Sequence, residues 1–106
     1  MAKYLIRASY TPEGARGLLK DGASARRQAA EAPIRSLGGS VEAFYFAFGD
    51  DDAIVICEAP DNVSAAAVSL AVNASGVVST KITVLLTPEE MDAATKKSVN
   101  YRPPGS

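Results

Sequence analysis

Residues 3–10, Lys-Tyr-Leu-Ile-Arg-Ala-Ser-Tyr, alternate Tyr4, Ile6 and Ala8 with Lys3, Leu5, Arg7 and Ser9, the period of a strand with apolar groups on both sides. Thr11 then offers a hydroxyl N-cap with Pro12 at the first helical position, and Ala15, Leu18 and Leu19 begin an apolar stripe. Asp21-Gly22 predicts a break in this helix, with Ser24 capping the restart. The second piece carries Ala30, Ile34 and Leu37 at i, i+4, i+7 spacing and stacks Arg27, Glu31 and Arg35 on another face. Pro33 predicts a kink and Gly38-Gly39 an end.

Residues 40–48 alternate Val41, Ala43, Tyr45 and Ala47 with Glu42, Phe44, Phe46 and Phe48. Gly49-Asp50-Asp51-Asp52 then turns the chain into the β-rich run 53–58, which reads as a hairpin. Gly49 is expected to occupy a conformation or close approach that a larger residue fits poorly, with Asp50 and Asp51 facing solvent. Pro60 stops the strand and Asp61 caps a helix over 62–75, whose face reads Val63, Ala66, Ala67, Leu70 and Ala74. Gly76 closes that helix, and residues 77–86 form a long strand rich in Val, Ile, Thr and Leu. Thr87-Pro88-Glu89-Glu90 is a capping-box signature for a short helix to about Lys97. Residues 98–106, with Tyr101, Arg102 and Pro103-Pro104, have no regular period and read as an extended arm.

The order β, α, β, β, α, β predicts an α+β, ferredoxin-like βαββαβ sandwich over 1–97, with a short C-terminal helix and an arm over 98–106. Two crossovers are expected to join strands lying parallel in the middle of the sheet, and right-handed connections put both helices on one face. The opposite face is left open. On either choice of strand face, the residues presented there are expected to be too apolar to face water.

Composition narrows the chemistry. The 106 residues are 47% hydrophobic, enough for one folded domain, and Lys+Arg 11 against Asp+Glu 12 leaves no cationic excess for nucleic acid or an anionic membrane. His 0 removes the commonest base and metal ligand; Cys 1 removes internal disulfides and multi-cysteine metal sites. No run of apolar residues is long enough to span a membrane, and Met1 to Tyr10 runs straight into a strand pattern without a charged start and cleavage site. Cys57, inside the apolar run 53–57, is expected to be a buried thiol rather than a nucleophile, and the chain is read as cytoplasmic.

Tyr10-Thr11-x-x-Gly14, Leu37-Gly38-Gly39-x-Val41, Tyr45-x-x-Phe48-Gly49-x-x-Asp52 and Pro60-Asp61 stand in an order and spacing that resembles the GYD-domain family of small bacterial proteins. The similarity covers nearly all of Met1 to about Leu86, and the last helix and the Tyr101-x-Pro103-Pro104-Gly105 tail resemble a subgroup. The Tyr position of the family's Gly-Tyr-Asp motif is filled here by Asp51, between Gly49 and Asp52. The resemblance implies a ferredoxin-like domain that assembles as a dimeric α/β barrel. It implies no established reaction and no catalytic residue.

Asp50-Asp51-Asp52 lacks both the further carboxylate of a two-metal site and the spacing of a calcium loop, so ordinary turn geometry is expected and no metal or cofactor. Arg7, Tyr45, Glu58 and Lys81 are polar groups within strands, and an Arg7–Glu58 pair is expected where they meet. Lys20, Arg26, Arg27 and Arg35 read as a solvated helix face balanced by Asp21 and Glu31. The leading reading is a self-associating domain, a dimer or multiple of dimers, that binds a small ligand at its sheet face through Arg7, Phe44, Tyr45, Asp52 and Glu58. The alternative is a cofactor-independent oxygenase or isomerase of the same barrel type, with Glu58, Asp52 and Tyr45 as acid-base groups and Arg7 holding an anion.

Overall fold

Three caps set where the helices begin in the computed structural model, which describes all residues from Met1 to Ser106. Thr11 Oγ1 accepts from the Gly14 N–H at 3.2 Å and opens α1 (Pro12–Asp21), with Pro12 in its first turn. Asp61 Oδ1 accepts from the Ser64 N–H at 2.8 Å and opens α3 (Asn62–Ala74). At α4 (Pro88–Thr95), Thr87 Oγ1 accepts from the Glu90 N–H while Glu90 Oε1 accepts from the Thr87 N–H, a complete capping box. These backbone hydrogen bonds also hold the Asp61 and Glu90 carboxyls below their usual pKa. Only α2 (Ala23–Ser36) departs from expectation. It restarts directly after Gly22 at φ 87° without a side-chain cap, so Ser24 does not play that role.

β1 (Ala2–Tyr10), β2 (Ser40–Phe46), β3 (Ala53–Ala59) and β4 (Val78–Leu85) form one sheet in the order β2-β3-β1-β4. Every neighbouring pair is antiparallel. Strands joined by a crossover do run in the same direction, but another strand lies between them, so the expected central parallel pair is absent. This α+β arrangement, with its open four-stranded sheet, is compatible with a ferredoxin-like fold.

Registry assigns the two faces. Tyr4, Ile6, Ala8 and Tyr10 of β1 stand opposite Val84, Ile82, Thr80 and Val78 of β4, and Tyr4, Ile6 and Ala8 also stand opposite Cys57, Val55 and Ala53 of β3. This is the side on which α2 and α3 lie. In β2 the simple alternation fails: the register shifts between Val41 and Ala43, so Val41 pairs with Cys57 and Phe44 with Val55. The extra residue, Glu42, lets Val41 and Phe44 both face the helices, leaving Ala43 and Tyr45 on the other side.

The core is thin. Nine of 106 residues are buried, and seven of them (Tyr4, Ile6, Ile34, Val55, Cys57, Ala59 and Ala65) form one cluster. Cys57 lies inside it as expected, and burial raises its pKa. On α3 the face that packs is Ala65, Val68, Ser69 and Val72; the face expected from sequence, Val63, Ala66, Ala67, Leu70 and Ala74, is exposed. α4 and the arm project from the body. Every residue from Pro88 to Ser106 is exposed, no element packs extensively on α4, and the molecule is 57 Å long. Its radius of gyration of 16.9 Å exceeds the roughly 13 Å of a compact domain of about 100 residues.

Candidate functional site

The helix-free face of the sheet can be followed in rows. Ala43, Ile56, Leu5 and Thr83 make one row across β2, β3, β1 and β4; Tyr45, Ile54, Arg7 and Lys81 make the next. A third row, Ser40, Glu58, Lys3 and Leu85, closes one end. Leu5, Ile54 and Ile56 are half-buried among their neighbours and Tyr45 is exposed, so β1, β2 and β3 share an apolar patch. The β4 side does not continue it. There the chain presents Ser79, Lys81 and Thr83, so the face is half apolar and half polar rather than apolar throughout.

The five residues expected to bind a ligand separate into three places. Arg7, Tyr45 and Glu58 lie on the helix-free face. Phe44 is on the opposite side, edge-to-face with Phe46 at 5.4 Å between centroids, because the bulge at Glu42 turned it inward. Asp52 is at the hairpin and is already engaged: its Oδ2 accepts from the Tyr10 N–H at 2.8 Å, while its own N–H donates to the Ala8 carbonyl at 2.8 Å. The candidate acid-base trio Glu58, Asp52 and Tyr45 is therefore not assembled.

Glu58 pairs with Lys3 at 3.3 Å rather than with Arg7, and Glu42 meets the same ammonium at 2.9 Å. Registry explains the choice. Lys3 is directly opposite Glu58, whereas Arg7 lies four residues further along β1, about 13 Å away. The Lys3 pKa is raised, chiefly by its hydrogen bond to Glu42 and then by that to Glu58. Arg7 faces Lys81 instead, a like-charge pair across neighbouring strands. On α2, Arg27 and Arg35 both grip Glu31, at 3.0 and 2.7 Å, and lower its pKa.

Asp52 has a structural task that sequence reasoning missed: it ties the hairpin to the end of β1. Asp52→Ala leaves the Tyr10 N–H without its acceptor and is expected to cost about 1–3 kcal/mol in urea unfolding, with Asp52→Asn recovering part of the loss through its amide oxygen. Because no three carboxylate or thiol groups converge anywhere on the chain, chelator should leave the wild-type midpoint unchanged. A chelator-sensitive midpoint would refute this assignment.

The other missed residue is Arg26. Against the expectation of a solvated face, its Nε is buried and makes no hydrogen bond. It lines a hollow between the helices and the sheet. The signal was present in the spacing: Arg26, Ala30 and Ile34 stand at i, i+4, i+8, on the stripe that faces the sheet.

No helix is long and apolar enough to cross a membrane. No curated protein and no solved structure gives a significant match to the chain. Residues 4–95, from the first core tyrosine of β1 to the end of α4, match the GYD domain, and the chain belongs to the GYD-domain family.

Proposed function

We propose that this GYD domain is a self-associating module in which the helix-free sheet faces of two copies pack together as a dimeric α/β barrel. The observation that carries the reading is the patch of Leu5, Tyr45, Ile54 and Ile56 on a sheet face with no helix over it. A large apolar side chain brought from full exposure to full burial gains roughly 1.5–3 kcal/mol; three of these four are already half-buried and gain part of that, doubled by the two-fold. The projecting α4 and arm support the same reading, because an ordered helix that no element of its own chain packs on extensively is placed to reach across a partner. The small ligand belongs at the same seam, where an anion between Arg7 and Lys81 relieves their repulsion.

Ile56→Lys tests the assignment of the face. It places an unpaired ammonium at the centre of the patch in both copies, and dimer affinity should fall roughly 100-fold or more, with the circular dichroism spectrum unchanged. Val63→Lys, on the exposed apolar face of α3, should leave affinity unaltered. The reverse pattern, read by size-exclusion chromatography with light scattering, would move the interface to α3 and overturn the reading.

A further inference from the structure

Behind the sheet, α2 and α3 touch only sparingly, because Ala29 and Ala30 are too small to close the space toward Val68 and Val72. A hollow of about 70 Å³ remains over Ile6 and Val55. One water molecule needs roughly 10–15 Å³ of such space, so the hollow exceeds a single water site several-fold. Its walls are nevertheless mostly hydrocarbon and offer water few partners. Two hydroxyls on its wall are occupied: Ser69 and Thr80 bond each other at 2.9 Å, and Thr80 also bonds Asn73 Oδ1 at 3.1 Å.

Arg26 Nε is the sole buried side-chain polar atom without a hydrogen bond. A buried guanidinium donor without an acceptor is unfavourable, and a guanidinium presents its Nε–H and one Nη–H as a planar fork that matches the two oxygens of a carboxylate. The remaining surface asks for a compact hydrocarbon body. We propose that the hollow between α2 and α3 binds a small monocarboxylate with a compact apolar body, of the size of isobutyrate, its carboxylate on Arg26 and its methyl groups over Ile6 and Val55. A neutral amide satisfies the donor but leaves the cation unbalanced; a phosphate brings more charge than one guanidinium in an apolar hollow can compensate. The site lies on the opposite side of the sheet from the self-association face, so the two assignments stand or fall separately.

Titration of the full chain with isobutyrate, followed by methyl NMR, tests the site. Saturable shifts are expected at Ile6, Val55 and Val68, with isobutyramide binding at least tenfold more weakly. Arg26→Met keeps the aliphatic stem and removes the fork; it should weaken isobutyrate at least tenfold without altering sedimentation. Ala30→Leu fills the hollow and should abolish the shifts. If Arg26→Met unfolds, the comparison of isobutyrate with isobutyramide on the wild-type chain decides. Absence of saturable shifts, equal binding of isobutyrate and isobutyramide, or shifts centred on Leu5, Ile54 and Ile56 around Arg7 and Lys81 would each overturn the proposal.

Discussion

Tyr4→Ala is expected to unfold most of the domain. Tyr4 is 1% exposed, the one large side chain that is fully enclosed, and it packs at the centre of the seven-residue cluster beneath α2 and α3. Its hydroxyl donates to Asn62 Oδ1 at 2.7 Å, tying β1 to the first turn of α3. Burial, then the nearby Asp61 charge, raises its pKa, so the ring stays neutral. Truncating a buried aromatic to alanine costs about 3–5 kcal/mol, against a total of about 5–15 for a typical domain. With nine buried residues, this chain has little else to hold it. Tyr4→Phe keeps the packing and removes one hydrogen bond, for a loss of about 1 kcal/mol. Urea unfolding of both variants separates the contributions; a Tyr4→Ala loss below about 1.5 kcal/mol would place the stabilising core elsewhere.

Gly39→Ala should produce the second large loss, about 3 kcal/mol. A Cβ there would run into the Glu58 carbonyl oxygen, and would come within 2.9 Å of Ile34 Cγ2 and 3.0 Å of the Ile34 carbonyl oxygen. Two of these three neighbours are backbone, fixed by β3 and by the end of α2, so the clash cannot be relieved by a rotamer change. Gly49→Ala provides the contrast. Gly49 lacks the conformational task expected of it in the hairpin: its φ is not positive and open space surrounds it, so the substitution should change the urea midpoint very little. Equal losses at 39 and 49 would refute this distinction.

What could be read from sequence was the local chemistry with one strong determinant. Thr11-Pro12, Asp61 and Thr87-Pro88-x-Glu90 are caps whose hydrogen bonds form within four residues, so no tertiary knowledge was needed to place those helix starts. The element order followed, and with it the ferredoxin-like arrangement. Legibility failed where two faces of an element are equally apolar. Residues 65–67 of α3 are all alanine, so composition did not distinguish the Ala65–Val68–Val72 side from the Val63–Ala67–Leu70 side; contact with the sheet decided. In β2 one inserted residue reversed the alternation beyond Glu42, putting Phe44 on the side of Val41 and Tyr45 on the other. The expected Arg7–Glu58 pair failed because registry between β1 and β3 is set by the whole ladder, which puts Lys3 opposite Glu58. Arg26 differs from the solvated face expected for α2 because its position on the helix, one turn before Ala30, turns its stem toward the sheet despite its charge.

The helix-free face carries one physical expectation, that the half-apolar sheet is completed by a second copy. Sedimentation equilibrium of the unmodified full chain, from about 1 to 100 µM, tests it most directly. Pairing of the faces predicts a species of twice the 11.0 kDa chain mass across most of that range, with a thermal midpoint that rises with concentration. A folded monomer of 11.0 kDa throughout, with a concentration-independent midpoint, would contradict it.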